Sequence, residues 1–383
     1  MAPAGLDGVV AATTRLSLVD GERGELIIAG FPVAELAAHA TFEETTWLLW
    51  HGDLPSSRQL GEFRADLAAK RALPAATMAL LRECAHARVD PMDALRMAVD
   101  TISLASNDAT AIVASCPTII AAFWRLGHGD EPIGPRADLN HAANLLYMLS
   151  GDAPDPERLR GLETYLNTVV DHGLNASTFT CRVITSTGSD LVSAVVGAIG
   201  ALKGPLHGGA PGPALDMVFE IRDASHGQPA ASRAEEVLRK KIEASEKLMG
   251  FGHRIYRVRD PRAEVLSAAA ERLYTRAGDM SLYTLARSVE RTAVHLLEEY
   301  KPGRRLQTNV EFYTALLLHG LGFDVPLFTP TFAMGRVSGW MAHAFEQREA
   351  NRIIRPQSEY SGPRNRTWVP IEQRSERRAT SGG

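Results

Sequence analysis

Three histidines sit beside glycine at breaks in the helical pattern: His172 in Asp171-His-Gly, His207 in Gly204-Pro-Leu-His-Gly-Gly and His253 in Gly250-Phe-Gly-His-Arg. A helix end exposes unpaired backbone groups, and glycine lets a ligand approach closely. Imidazole donates or accepts a proton near neutral pH, so three such positions together point to proton transfer or to polarising a carbonyl. The other histidines, such as His141, His295 and His343, lie in helical patterns that suit surface or satisfied core positions.

Three arginines also lie near a Gly or Pro break. Arg262 follows Asp260-Pro261, Arg336 lies in Met334-Gly-Arg-Val-Ser-Gly-Trp, and Arg355 precedes a proline in Ile353-Ile-Arg-Pro. A guanidinium fork binds a planar carboxylate through two parallel hydrogen bonds, and several together suit a di- or tricarboxylate. The competing reading is a set of solvated or structural arginines. Thr308-Asn-Val-Glu-Phe-Tyr places the carboxylate of Glu311 at the start of an apolar helix. There it serves either the helix dipole or a reaction as base.

Rival chemistries find little support. The chain has no HExxH, no CxxC and no GxxxxGK[ST], and Gly250-Phe-Gly lacks the third glycine of a dinucleotide fingerprint. Cys84, Cys116 and Cys181 form an odd set that reads as reduced thiols of a cytoplasmic protein. A net charge of -4 without a long basic run argues against nucleic acid as a partner. The first residues show no basic segment followed by an apolar one, so no secretory signal is expected. The apolar stretch Leu191 to Leu202 is too short to cross a bilayer, and no membrane association is expected.

The elements that must hold these residues are nearly all helical. Leu16 to Gly21 and Gly24 to Gly30 read as a β-hairpin around a glycine-rich, charged turn. Thr41-Phe-Glu-Glu is a capping box that opens a helix to about His51, with Gly52 as its stop. Asp90-Pro91 and Asp155-Pro156 each place a capping side chain before a proline at the first helical position. Leu191 to Lys203 is apolar all round and reads as a central buried helix. Further helices fit 232–248, 261–275, 281–300, 308–320 and 330–347, and the end of the chain from Arg374 reads as a polar, frayed tail. The fold class is all-α. At 383 residues the chain is long enough for two compact domains.

Taken in order, these stretches resemble the citrate synthase family over nearly the whole chain. Asp171-His-Gly-Leu-Asn-Ala-Ser-Thr-Phe-Thr resembles its first oxaloacetate-binding segment, and Leu202-Lys-Gly-Pro-Leu-His-Gly-Gly-Ala its central catalytic loop. Met249-Gly-Phe-Gly-His-Arg-Ile-Tyr-Arg-Val-Arg-Asp-Pro-Arg resembles its coenzyme A and oxaloacetate loop. Asn309-Val-Glu-Phe-Tyr resembles the segment with its catalytic acid, and Phe328 to Pro356 its last arginine pair.

The resemblance implies a two-domain helical homodimer acting in the tricarboxylic acid cycle. A large domain would span 1–209 and 323–383, with a small domain inserted at 210–322. Acetyl-CoA and oxaloacetate would be the substrates, with no metal or redox cofactor. Glu311 would remove the α-proton of the acetyl thioester, His207 would donate to the enolate oxygen, and His253 to the ketone oxygen of oxaloacetate. His172, Asn175, Arg262, Arg336 and Arg355 would hold oxaloacetate, with Arg355 reaching the partner's site. Met249, Gly250, Phe251, Gly252 and Arg257 would bind coenzyme A. The family usually has Asp where this chain has Glu311, which lengthens the base by one methylene, roughly 1.5 Å. Two other readings stay open: 2-methylcitrate synthase acting on propionyl-CoA, and a weakly catalytic paralogue that senses coenzyme A or a dicarboxylate.

Overall fold

Strand β1 (Ser17–Asp20) pairs antiparallel with β2 (Glu25–Ile28), with Ser17 opposite Ile28 and Asp20 opposite Glu25. The expected hairpin gains a third strand, β3 (Phe31–Pro32), which pairs with β2 through Phe31 and Pro32. Proline has no amide to continue a ladder, so the sheet stops there. Leu16, Leu26 and Ile28 turn into the core. The β1–β2 turn seats directly on the segment after His253. Arg257 donates its amide to the Gly21 carbonyl at 2.9 Å, and a Cβ on Gly21 would lie 2.3 Å from the Ile255 carbonyl oxygen.

These features belong to a computed structural model that describes residues 4–6, 8–208, 211–225, 230–253 and 255–374. The chain divides into two units, Met1–Ile353 and Ile354–Gly383. The expected domain boundary at 209/210, and all but the first residue of the expected polar tail, lie outside the described residues. Within Ile354–Gly383 the described residues form one 3-10 turn, Ile371–Gln373, and Arg355 is exposed.

Sixteen α-helices are present among the described residues. The local punctuation acts as expected. Thr41 and Glu44 form the capping box of Phe42–His51, and Gly52 closes that helix in the left-handed region. Asp90, Asp155 and Asp260 each cap a helix whose first residue is proline. The helix expected over 232–248 runs instead as Ala230–Glu243, because Ser245 turns to a positive φ of 60° and ends the ladder. Phe328–Glu349 is longer than the expected 330–347.

Phe328–Glu349 is buried along most of its length and packs against Ala109–Gly127, Pro156–Val169, Ala176–Ser186 and Leu191–Leu202. Two glycines let it approach the segment before His172. A Cβ on Gly339 would lie 2.2 Å from the Val170 carbonyl oxygen, and one on Gly335 2.8 Å from a Val169 methyl. Ala109–Gly127, more extended than the apolar stretch at 191–202, is long and apolar enough to cross a membrane. However, 83% of its apolar window is buried inside the protein, so it is a core helix. Cys84, Cys116 and Cys181 are free and buried.

Candidate active site

His172 follows the end of Pro156–Val169, where Asp171 is fixed on every side. The Asp171 carboxylate accepts from Ser17 Oγ at 2.5 Å and is paired with His343 Nε2 at 3.1 Å, both groups fully buried. On its far side His343 meets Arg182, which pairs with Glu346 at 2.6 Å. His343 thus has the satisfied core role its pattern suggests. His141 differs: it is buried and stacked on Phe42, but neither ring nitrogen has a partner among the described residues, and burial pushes its pKa down to about 3.

The His172 ring lies 5.5 Å from that of His253, and its Nε2 meets the Tyr256 hydroxyl at 3.2 Å. Tyr256 also packs on His253, and the Arg262 guanidinium lies over its ring. His253 Nδ1 accepts from the amides of Ile255 and Tyr256, both at 3.1 Å. Burial, with Arg262 next, lowers the His253 pKa to about 4, so the ring is neutral near pH 7. A neutral ring that accepts at Nδ1 carries its proton on Nε2, which makes that nitrogen the donor.

His207 shows the opposite tautomer. Its Nε2 accepts from the Ser177 amide at 3.3 Å and lies 2.8 Å from the Ser177 hydroxyl, which Trp340 Nε1 also contacts. Burial, then Arg336, lowers its pKa to about 4. The neutral ring therefore carries its proton on Nδ1. Burial, with Arg262, His253 and Arg336 adding to it, also keeps His172 neutral.

Arg262 opens the helix Pro261–Ala277 and is buried against Asp260. Its Nε and Nη2 donate to the two carboxylate oxygens at 3.0 and 2.8 Å. Burial works against the charge, but Asp260 holds the Arg262 pKa above its usual value. Arg336 is also buried; its Nε donates to the Val169 carbonyl at 2.5 Å, and its guanidinium lies over Phe332. Burial, with Arg262 opposing its charge as well, lowers its pKa to about 10. A buried cation in the state of Arg336 favours an anion brought by a ligand.

Glu311 lies in the first turn of Val310–Gly320, capped by Asn309. Burial raises its carboxyl to about 7, with Asp260 adding and Arg262 and Arg336 opposing. A carboxylate poised there suits a base working at neutral pH. Asn309 also donates to the Gly252 carbonyl at 2.8 Å, and Gly252 donates to Gln307 at 2.7 Å, which stitches the His253 loop to the Glu311 helix. Gly250 and Gly252 have φ of 87° and 82°, and a Cβ on Gly250 would lie 2.9 Å from Phe312, so glycine is required here. Phe251 forms a bridge with Thr308, while Met249 is partly buried and Arg257 is exposed.

His172, His253, Tyr256 and Arg262 thus meet directly, and the Arg336 charge acts on His172, His207 and Glu311. Arg355 belongs to the second unit. Asn175 is engaged locally: its Oδ1 caps Ala176–Ser186 and accepts from Ser177 Oγ. Sequence reasoning missed Tyr256, Ser177 and Asp171. The Asp260-Pro261 cap next to Arg262 was a visible signal for that pair; the contacts of Tyr256 and Ser177 had none.

The family model described as "Citrate synthase, C-terminal domain" matches residues 5–357. The chain belongs to the citrate synthase family. It is 39% identical to the citrate synthase of Haloferax volcanii, over 97% of this chain and 98% of that one. It is 38% identical to the 2-methylcitrate synthase of Shewanella oneidensis, again over 97% and 98%. Among solved structures, the citrate synthase of Thermotoga maritima superposes with a TM-score of 0.86 at 38% identity, covering 98% of this chain and 100% of that one. The Thermoplasma acidophilum citrate synthase, solved as a ternary complex with carboxymethyl coenzyme A and oxaloacetate, does so with a TM-score of 0.86 at 28% identity, covering 97% and 98%. The expected all-α citrate synthase fold is the one observed.

Proposed function

We propose that this chain joins the methyl carbon of acetyl-CoA to the ketone carbon of oxaloacetate and hydrolyses the product thioester, releasing citrate and coenzyme A. The observation that carries this is the Glu311 carboxyl, raised to about 7 within a cluster that holds two buried guanidinium groups and neutral imidazoles. Family membership makes it an acyltransferase that turns an acyl group into an alkyl group on transfer.

Glu311 takes a proton from the acetyl methyl group while His207, protonated on Nδ1, donates to the developing enolate oxygen. The enolate carbon attacks the ketone of oxaloacetate, and His253 Nε2–H donates to the oxygen that gains charge. Water then cleaves the thioester, and coenzyme A leaves as the thiol. General acid–base help of this kind is worth about 10²–10⁴-fold. His172, Asn175, Arg262 and Arg336 hold the dicarboxylate. Arg355 completes the site from the partner protomer of a homodimer. Met249 to Gly252 and Arg257 take coenzyme A. The reading retains a small domain at 210–322 between the two parts of a large one, a cytoplasmic location, and chemistry that needs no metal or redox cofactor.

Relatives named 2-methylcitrate synthase, at 38–39% identity, support propionyl-CoA as the second reading. One methylene in an apolar pocket discriminates by about 1–3 kcal/mol. Thiol release in the presence of oxaloacetate separates the readings. Faster turnover with acetyl-CoA is expected; faster turnover with propionyl-CoA selects the second reading, and none with either selects the sensor.

A further inference from the structure

Glu290 has no part in the proposed chemistry, yet it joins two segments that carry it. It lies on Ser281–Tyr300, and among the buried residues of that helix it alone bears a charge. A buried carboxylate is costly, and a well-packed apolar side chain in its place is often as stable or more so, so folding alone does not call for one. Its Oε2 accepts from the Tyr313 hydroxyl at 2.5 Å and from Arg287 Nη1 at 3.1 Å. Its Oε1 lies 3.0 Å from Arg259 Nη2. Arg287 Nη1 also donates to the Tyr313 hydroxyl at 3.1 Å, and the Arg259 guanidinium lies over the Tyr313 ring, so the four side chains form one cluster. Ser281–Tyr300 packs mainly on Ala230–Glu243 and hardly on Val310–Gly320, so this cluster, and not helix packing, ties it to the helix of Glu311.

Both ends of the cluster adjoin site residues. Tyr313 is fully buried two residues after Glu311 on the same helix. Residues two apart on a helix point to nearly opposite sides, so Glu290 grips this helix on the side away from the base. A roll of about 10° would move a side-chain tip, about 5–6 Å from the helix axis, by about 1 Å. Arg259 immediately precedes Asp260, whose carboxylate holds Arg262 through two hydrogen bonds. We propose that Glu290 is a positioning residue: it holds Tyr313 and Arg259 together, and so fixes the Glu311 helix relative to the Asp260–Arg262 pair. This rests on the reading of Glu311 as the base and of Arg262 as a ligand of oxaloacetate.

The test is a pair of near-isosteric changes, each loosening one arm, with kcat and KM measured well below the melting temperature. Tyr313→Phe frees the helix of the base. Its kcat should fall about 10-fold or more, as a misplacement near 1 Å costs, while the KM for oxaloacetate stays within about 2-fold. Glu290→Gln has one acceptor oxygen in place of two; that oxygen can keep Tyr313, and the amide then turns a donor towards Arg259. The KM for oxaloacetate should rise about 5-fold or more, with a smaller change in kcat. Adding Tyr313→Phe to Glu290→Ala should cost no further kcat, the coupling expected of two groups acting as one. Lower melting temperatures with parental kcat and KM in both single variants, insolubility of both, or a full further loss in the Glu290→Ala background would each overturn the proposal. Normal turnover in Glu311→Gln, measured alongside, would instead remove the base reading itself, and this proposal with it.

Discussion

Asn309 and Gly252 are joined by a single hydrogen bond, from the Asn309 carboxamide to the Gly252 carbonyl at 2.8 Å. The other end of the same carboxamide caps the Glu311 amide at 3.0 Å. Together with the backbone bonds of Gly252 to Gln307 and of Asn309 to Gly250, this side chain sets the distance between the loop of His253 and the helix of the base.

Its two ends can be separated by mutation. Asn309→Asp keeps the capping oxygen and loses the donor, so stability should hold while turnover drops about 10-fold or more, since a misplacement of about 1 Å can cost 10²-fold. Asn309→Ala loses both, and should also cost about 1 kcal/mol of stability. Urea unfolding together with steady-state kinetics reads the two effects apart. Equal loss of rate and of stability in Asn309→Asp would show that the tie to Gly252 serves folding alone.

Turnover should rise as pH climbs through about 7, where Glu311 loses its proton. Glu311→Gln should lower kcat by about 10²-fold or more with little change in oxaloacetate binding. Stability should move the other way. A carboxyl raised in the folded state binds a proton that the unfolded chain has released, so stability falls as pH rises from the unfolded value of about 4.3 to about 7 and stays lower above that. Glu311→Gln should therefore melt higher than the parent protein at alkaline pH. A lower melting temperature there would contradict the assigned strain.

What was legible in the sequence was local. Thr41 with Glu44, and Asp90, Asp155 and Asp260 before proline, declare their helix starts within a few residues, and all hold. The candidate histidines at 172 and 253 stood out because glycine marks a chain break, and they converge. What was not legible depends on contacts across the chain: His172 with Tyr256, 84 residues apart, or Asp171 with His343, 172 apart. No spacing rule encodes such pairs. The third strand was missed because two residues ending in proline give no alternation to read, and the end of Ala230–Glu243 because Ser245 adopts a conformation its side chain does not announce.

Acid should act through Asp171. Burial alone would raise its pKa, but His343, Arg336 and Ser17 together hold it below the usual carboxylate range. A carboxyl depressed in the folded state contributes stability that is complete above the unfolded value of about 3.9 and is lost as pH falls through the lower folded value. Asp171→Asn should remove that acid-dependent part and cost about 3–5 kcal/mol near neutrality, the usual result of leaving one partner of a buried pair alone. Urea melts across the acid range check the slope; parallel curves for the two proteins would contradict it.

The proposal that Arg355 completes the partner protomer's site can be tested by mixing. Arg355→Ala and His207→Ala should each be inactive alone. After subunit exchange, a heterodimer carries one site free of both lesions, so activity should return to about a quarter of the parent level on random reassortment. Exchange confirmed by mass, with no recovery, would place Arg355 in its own protomer's site or outside both.

Ser17 in the first strand donates to Asp171, and Arg15 beside it bonds to Glu346 and Glu349 at the end of Phe328–Glu349. A ribosome delivers these partners far apart in time. At about 5–20 residues per second, the hairpin waits tens of seconds for the last long helix to emerge. Until then Arg15, just before the first strand, lacks its partners Glu346 and Glu349. A nascent chain halted before residue 328 would also lack Arg336 and His343. Translation that stops early should therefore yield inactive, chaperone-dependent fragments.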